Sequence, residues 1–204
     1  MEEPRDRLVA AIDAGDVATV RTLVDADPGL ARARDDAGVS VLMRARYRWD
    51  DDLVVAIRSA GAPLDVFEAA AIRDDVRLSE LLDADPAQGQ AWSADGFTAL
   101  HFAAFFGGGA GAQRLLDAGA DPDAVSRNPM AVRPLHSAVA GNRARVALAL
   151  IAAGAGVNVA QRHGWTPLHG AAEHGLADVV DALLAAGADP TATNDKLHEV
   201  NSNE

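Results

Sequence analysis

Histidine is the residue type in this sequence that most readily suggests a metal site. His163, His169 and His174 lie close together in the chain. No acidic or thiol side chain accompanies them at the spacing of metal ligands, and a closed zinc site needs about four ligands. The sequence also lacks cysteine, which excludes disulfides, thiol catalysis and cysteine-bound zinc. We therefore predict that the protein holds no metal and no cofactor.

A glycine-rich run from Gly107 to Gly111 has the composition of a phosphate-binding loop. Such a loop follows a strand, precedes a helix and usually carries a Lys-Ser/Thr pair. Here a predicted helix precedes the run and the pair is absent, so we predict no nucleotide site. Glycine costs ~1 kcal/mol relative to alanine within a helix. We therefore expect the helix that follows the run to begin late and to fray.

The segment from Arg44 to Trp49 combines basic and aromatic side chains and is followed by Asp50-Asp51-Asp52. Arg44 and Arg48 share a helix face, so the segment could bind an acidic peptide or a phosphate. The alternative is that the arginines pair with the adjacent aspartates and with acids on neighbouring helices. Charges at helical spacing usually form solvated faces, so we favour charge pairing.

The stretch from Thr166 to Pro190 has the pattern of a complete pair of helices. Thr166 is a good N-cap, Pro167 suits the first helical position, and His169 can reach back toward the cap. Gly175 is typical of the left-handed residue that ends a helix. Apolar residues at i, i+4 spacing then predict a second helix, and Gly187 ends it. This pair is too small to bury its own apolar face and needs neighbours.

The same pattern recurs upstream at a spacing of about 33 residues, as P-L-H at 134–136 and T-A-L-H at 98–101. The period and the residue pattern resemble the ankyrin repeat, whose pattern is T-P-L-H-x-A with G-A-D at the end of the second helix. The resemblance implies an all-α solenoid of stacked helix-turn-helix units with short hairpin loops. It also implies that the motif histidines link the turns of adjacent repeats. The expected structural-motif residues are Thr98, His101, His136, Thr166, Pro167 and His169.

We predict one elongated ankyrin-repeat domain over residues 1–204, because a repeat array grows in one dimension. The units are 5–39 as the N-terminal cap, 40–64, 65–97, 98–132, 133–165 and 166–190, followed by a polar tail at 191–204. The second unit is short and lacks the protruding hairpin, and Trp49 stands there where glycine is expected. In the fourth unit, Gly111 occupies the place that Val146 and Val179 hold in the next two units.

Charge and composition limit the possible partners. The formal net charge is −12, and nucleic acid is disfavoured because phosphate neutralisation requires a basic face. The N-terminus lacks an apolar signal region, and no apolar run has the length of a bilayer span. We therefore expect a soluble cytoplasmic protein that does not contact a membrane. The preference for Arg over Lys, with abundant Ala, Asp and Gly, is associated with GC-rich bacterial genomes.

A stack of this kind presents a concave groove lined by hairpin tips and by exposed residues of the first helices. Aromatic and Arg side chains dominate interface energies. The repeat register assigns to the groove Phe105, Phe106, Glu173 and His174. The hairpin side adds Trp92, Phe97, Arg127, Met130, Arg162, His163 and Trp165. These are the candidate partner-binding residues.

The connection from Asp121 to Arg133 is longer than the corresponding one at the next interface. Insertions in repeat arrays often map to the binding face, so Arg127, Asn128 and Met130 are candidates for contact. Loops also tolerate insertions without any partner. The sequence leaves these two interpretations open.

Three functions follow from these observations as hypotheses. The first is a non-catalytic interaction module that binds a cytosolic protein or peptide in its groove. The second is an acidic inhibitor or immunity-type regulator that blocks the basic cleft of a partner enzyme. The third, an enzyme, is not predicted, because no nucleophile, base and orienting acid are marked by their spacing. We expect a monomer, with weak self-association through the C-terminal edge as an alternative.

Overall fold

The computed structural model describes residues 3–195 of the chain, and this part forms twelve α-helices. They are α1 (Pro4–Ala14), α2 (Val17–Ala26), α3 (Val41–Tyr47), α4 (Asp51–Arg58), α5 (Val66–Ile72), α6 (Asp75–Ala84), α7 (Ala99–Phe106), α8 (Gly109–Asp117), α9 (Pro134–Ala140), α10 (Ala144–Ala152), α11 (Pro167–Glu173) and α12 (Ala177–Ala185). Three 3-10 turns lie at Pro28–Arg32, Pro86–Gln90 and Arg162–Gly164. The predicted all-α fold is confirmed. Of the polar tail expected at 191–204, residues 196–204 lie outside the described residues.

Side-chain caps start several of the helices. The Asp16 carboxylate accepts a hydrogen bond from the backbone N–H of Thr19 before α2, at 3.0 Å. Asp65 and Glu68 form a reciprocal capping box at the start of α5. Each of these contacts satisfies a backbone donor that a helix N-terminus leaves unpaired. Asp65 thus takes the cap position that Thr98 and Thr166 hold in two other units.

A residue with left-handed backbone geometry follows the first helix of every pair. It is Gly15, Trp49, Arg73, Gly107, Asn142 or Gly175, with φ between 56° for Asn142 and 93° for Gly107. Glycine adopts this conformation without strain, and asparagine tolerates it. Trp49 and Arg73, at φ 59° and 62°, are therefore the strained members of the set.

The helix pairs stack into two rows. The first helices form a continuous inner row, because α1 contacts α3, α3 contacts α5, and the contacts continue through α7, α9 and α11. Outer helices also contact their neighbours, as in α8 against α10 and α10 against α12. Alanines such as Ala69, Ala103 and Ala138 are fully buried between the inner helices, where small side chains permit a close approach. The hydrophobic core is thus continuous along the stack.

Hairpins connect most units on the side of the inner helices. Isolated bridges join Arg34 to Ser40 and Trp92 to Thr98 at the base of two of them. Gly96 at the tip of the second hairpin has φ 82°, a left-handed geometry that glycine adopts without strain in a tight turn. Between α4 and α5 the chain passes directly through 59–65 without a hairpin, as the short second unit predicts.

The absent hairpin brings two distant loops together. A Cβ atom placed on Gly38 would lie 3.1 Å from the Cβ of Ala94, so the two hairpin tips meet although two helix pairs, α3 to α6, separate them in the chain. The hydroxyl of Tyr47, at the end of α3, donates a hydrogen bond to the Asp95 carboxylate in the later hairpin.

The predicted late start of α8 is wrong. The helix begins at Gly109, two residues after the left-handed Gly107, just as α12 begins two residues after Gly175. Gly111 is buried, and a Cβ atom there would lie 2.8 Å from Oδ1 of Asp75 and 3.1 Å from Cδ2 of Leu78. These two side chains take up the space next to the glycine.

No helix within residues 3–195 is both long and apolar enough to cross a membrane.

Candidate protein-binding groove

Two adjoining cavities form one groove along the inner helices and the hairpins. They share Met130, Val132, His136, Ala140 and Gln161. We call the larger cavity, of about 430 Å³, the aromatic half; its other lining residues are Tyr47, Trp49, Phe97, His101, Phe102, Phe105, Phe106 and Ser137. We call the smaller, of about 370 Å³, the polar half; it is also lined by Val139, Arg162, His163, Trp165, Thr166, Pro167, Gly170, Glu173 and His174.

Two exposed aromatic rings from the short second unit form one wall of the aromatic half. Trp49 is 52% exposed, and its ring centroid lies 5.5 Å from that of Phe105 and 5.2 Å from that of Phe106. Tyr47 is 39% exposed and lies 6.4 Å from Phe102. Burial raises the pKa of Tyr47, and the Asp95 carboxylate raises it further. The Tyr47 hydroxyl therefore stays protonated and keeps its hydrogen bond to Asp95.

A buried guanidinium supports this wall from behind. The Cζ atom of Arg46 lies 4.5 Å from the ring centroid of Phe106 and 5.3 Å from that of Trp49, which is cation–π geometry. Arg46 also donates to the backbone carbonyl of Ala71 at 3.2 Å and to the Asp51 carboxylate at 3.0 Å. These contacts fix the position of the two rings.

Two of the motif histidines, His101 and His136, form the floor of the groove. Nδ1 of His101 accepts a hydrogen bond from the backbone N–H of Thr98, at 3.2 Å, so the ring proton is on Nε2. Nε2 then donates to the carbonyl of Val132 in the next unit, at 3.1 Å. His136 makes the same kind of link to the carbonyl of Val159, at 3.0 Å. Both contacts join the turns of adjacent units.

Burial keeps the floor histidines neutral. It lowers the pKa of His101 to about 4. Burial also lowers the pKa of His136. His169 repeats the local contact to Thr166, at 3.2 Å between the backbone N–H and Nδ1. Within residues 3–195, no onward link from His169 to a further carbonyl is seen.

The polar half carries several exposed side chains. Arg162, Glu173 and His174 are exposed at its edge. Nδ1 of His163 lies 3.0 Å from the Asp195 carboxylate. The Trp165 ring packs edge-on against His169, with 5.7 Å between the centroids. This half can offer both hydrogen bonds and charge to a ligand.

The long loop at 121–133 is attached to the preceding hairpin. The backbone N–H of Arg127 donates to the carbonyl of Gly96 at 2.8 Å, and the Asn128 side chain donates to the carbonyl of Asp95 at 2.9 Å. The guanidinium of Arg127 stacks on the Trp92 ring, at 4.2 Å from the centroid. Arg127 and Asn128 are therefore held in the hairpin wall. Met130, which is 53% exposed, and Val132 are the residues of the loop that line the groove.

Most of the candidate residues from the sequence come together in the groove. Those that line it are Phe97, Phe105, Phe106, Met130, Arg162, His163, Trp165, Glu173 and His174. Trp92 and Arg127 are not among its lining residues, because they stack on each other outside it. Phe106 is 1% exposed, so the prediction that it presents its ring to a ligand is wrong. The ring is covered by Trp49, Tyr47 and Phe105.

Sequence reasoning missed Tyr47 and Trp49 as groove residues. The available signal was Trp49 itself, an aromatic residue at the glycine position of the motif. In the same segment, Arg44 donates to the carboxylates of Asp13 and Asp35, at 2.6 and 2.8 Å. Charge pairing, the interpretation favoured for this segment, is thus confirmed for Arg44, while the aromatic residues beside it face the groove.

No cluster of three or more His, Asp or Glu side chains able to hold a metal ion is found in the described part of the chain.

Comparison with known proteins places these features in a family. The sequence matches ankyrin repeats (three copies) over residues 126–194 and a further ankyrin repeat over residues 95–127. A solved structure, the ankyrin repeat domain of Bcl-3, described as a unique member of the IkappaB protein family, is similar to this chain at 29% identity. The match covers 92% of this chain and 89% of that one, with a TM-score of 0.55. No curated protein matches the sequence significantly. With the repeated stacking and histidine links, these matches show that the chain is an ankyrin-repeat protein.

Proposed function

We propose that this protein is a non-catalytic interaction module that holds a segment of another protein in the groove formed by the aromatic and polar halves. Ankyrin repeats are in general protein–protein interaction modules. The observation that carries the proposal is the exposure of large apolar side chains inside a preformed concavity. Trp49, Tyr47 and Met130 are 52%, 39% and 53% exposed there. Grouped exposed apolar side chains of this kind mark interaction sites.

The rigidity of the groove supports the same function. Its floor is fixed by the hydrogen bonds of His101 and His136, and its aromatic wall by Arg46. A preformed surface avoids the ordering cost that a flexible loop incurs when it binds. The binding free energy can then come from a few aromatic contacts.

The distribution of charge does not favour the alternative of an acidic inhibitor. The molecule carries a net charge of −12. Among the described side chains that line the groove, however, the one carboxylate is that of Glu173, and Arg162 lies in the same half. The groove thus offers a ligand apolar surface with mixed charge. No acidic wall lines it.

The experiment is affinity capture from a native lysate of the source cells. The groove variant carries Trp49→Gly and Met130→Ser. Glycine suits the left-handed backbone at position 49, and Met130 is exposed, so both substitutions should leave the stack folded. We expect a protein captured by the unchanged chain to be lost with the groove variant.

The matched control carries Val55→Ser and Val76→Ser. These valines are 59% and 73% exposed on the outer helices α4 and α6 and do not line the groove. The control should capture the same protein as the unchanged chain. Capture that survives the groove variant, or that is lost with the control, would overturn the proposal; circular dichroism verifies that both variants remain helical.

A further inference from the structure

Three arginines gather at the rim of the aromatic half. Arg46 lies behind the Phe106 ring, and Nε of Arg143 donates to the carbonyl of Phe105 at 3.3 Å. The side chain of Arg143 crosses Gly107, where a Cβ atom would lie 2.6 Å from its Nε. Arg73 passes beside the next glycine, since a Cβ on Gly108 would lie 3.8 Å from its Cγ. Arg46 and Arg143 therefore lie against the end of α7, and the side chain of Arg73 lies beside Gly108, just after that helix.

Nearby acids balance the charges of this cluster only in part. Asp51 pairs with Arg46. A Cβ atom placed on Gly108 would lie close both to the Asp75 carboxylate and to Cγ of Arg73. In the described part of the chain, no carboxylate forms an ion pair with Arg73 or Arg143. Burial lowers the pKa of Arg46; Asp51 opposes that effect, while Arg73 and Arg143 add to it. The cluster thus repels itself in a molecule that is acidic as a whole.

Helix capping explains part of this arrangement. Arg46 and Arg143 donate to Ala71 and Phe105, carbonyls near the C-terminal ends of α5 and α7, where cations are favoured. A guanidinium has five N–H donors, so most of the donors of Arg143 are still available. Arg73 makes no such capping contact among the hydrogen bonds of the described residues. A carboxylate brought by a ligand would therefore find free donors beside the aromatic wall.

The backbone at the same place is strained. Trp49 and Arg73 hold left-handed geometry where the other units use glycine or asparagine. Backbone strain of this kind costs on the order of 1–3 kcal/mol per residue and clusters at functional sites. The two strained residues belong to successive units of the stack. One supplies the exposed ring of the aromatic wall, and the other supplies an unpaired guanidinium next to it.

We propose that the aromatic half binds a peptide segment in which a bulky apolar side chain lies next to an aspartate or glutamate. The apolar side chain packs against Trp49, Phe105 and Met130, and its neighbouring carboxylate pairs with Arg73 and Arg143. This inference rests on the proposed function and specifies the chemistry of the partner.

The test selects ligands from a phage library of random peptides on the immobilised chain. Enriched sequences are expected to place Phe, Trp, Leu or Met beside Asp or Glu. The most enriched sequence is then made as a fluorescein-labelled peptide, and its dissociation constant is measured by fluorescence anisotropy. The Arg73→Gln, Arg143→Gln double variant should weaken binding by roughly three- to tenfold, as expected for charge pairs at a partly exposed rim. Raising the salt concentration should weaken binding of the unchanged chain, because salt screens exposed pairs.

A double variant with the same change in net charge provides the control. Arg21→Gln and Arg145→Gln remove two exposed arginines that make no ion pair in the described residues, and Arg145 is on α10 just after Arg143. This control should bind the peptide as the unchanged chain does. Equal weakening by both double variants would assign the effect to net charge and overturn the inference.

The outcomes also separate this inference from the proposed function. If enriched peptides lack acids, or carry Lys or Arg instead, the acidic partner is wrong. The groove itself still stands in that case if Trp49→Gly with Met130→Ser abolishes peptide binding. If the groove variant binds the peptide as tightly as the unchanged chain does, both proposals fail. A selection that enriches no peptide also counts against both.

Discussion

The two ring nitrogens of His101 connect local capping to the stacking of the molecule. Nδ1 accepts from the backbone of Thr98 in its own unit, and Nε2 donates to Val132 in the next. The ring is 1% exposed, and burial is the main reason that its pKa falls to about 4. The link therefore depends on a neutral imidazole.

Acidification should weaken the fold through this residue. The pKa of His101 is lower in the folded protein than its ordinary value of 6.5, so the unfolded chain binds more protons between those two values. Stability is then fully present above pH 6.5 and is lost as the pH falls toward 4. From pH 7 to pH 5 the free energy of unfolding should fall by about 2 kcal/mol on account of His101. Urea denaturation at the two pH values measures this difference.

The control for this prediction is His101→Gln. Glutamine does not titrate, and it can replace the capping contact to Thr98. The variant should be less stable at pH 7 but should lose less stability on acidification than the unchanged chain. Glu68, whose pKa burial raises, acts in the opposite direction in both proteins and so cancels from the comparison. An equal loss in both proteins would contradict the assignment to His101.

At the scale of elements, the groove depends on how closely α9 approaches α7. Gly141 ends α9 with ordinary right-handed geometry, at φ −77°. A Cβ atom there would lie 2.2 Å from the backbone oxygen of Phe105. The absence of a side chain at this position thus sets the distance between the two helices, and with it the position of Phe105.

Replacing Gly141 with alanine should push these helices apart. The backbone geometry favours alanine, so any loss of stability comes from the steric clash alone. Overpacking of this kind costs about 1–3 kcal/mol, and chemical denaturation should show a loss of that size. Gly109→Ala is the matched control, because it is a helical glycine with no atom within 4 Å of the added Cβ. The control should change stability by at most ~1 kcal/mol, in the stabilising direction; equal stability of the two variants would disprove the clash.

The starts and ends of individual helices are the part of the structure that the sequence predicts best. Caps such as Thr166, the motif histidines and glycines at helix ends depend on local chemistry, which a single sequence displays. The prediction for α8 failed because the space beside Gly111 is determined by Asp75 and Leu78 on the preceding outer helix. Phe106 was misplaced for a similar reason, since the register predicts its direction but not the ring of Trp49 that covers it.

At the scale of the whole molecule, the end of the stack has fewer buried contacts than its centre. In α7, nearly every residue from Ala99 to Phe106 is buried. In α11, the inner helix of the last described pair, only Pro167 and Ala171 are buried, and Leu184 on α12 is 42% exposed. In a repeat array, stability is a sum of unit and interface terms. The last described pair should therefore open more easily than the centre.

Hydrogen exchange followed by mass spectrometry can test this gradient. Backbone amides of α11 and α12 should exchange faster than those of α7 and α9 at neutral pH, since local opening follows the number of buried contacts. Leu115→Ala, a change in the centre at a fully buried position, should raise exchange in α7 and α8 before it affects α1. Uniform protection along the chain would mean that the array unfolds as a single unit.

The meeting of the tips at Gly38 and Ala94 has a consequence for the curvature of the protein. Where neighbouring units both carry a hairpin, the two loops hold the inner helices at a fixed angle to each other. The short unit lacks this spacer, so we expect the stack to bend more sharply there, and the hydrogen bond from Tyr47 to Asp95 spans the gap. We expect insertion of an ordinary hairpin into 59–65 to straighten this bend and to break the hydrogen bond, with no substitution of any groove residue. Lineages of such repeat proteins can thus reshape a binding surface by changing the length of a loop that never touches the ligand.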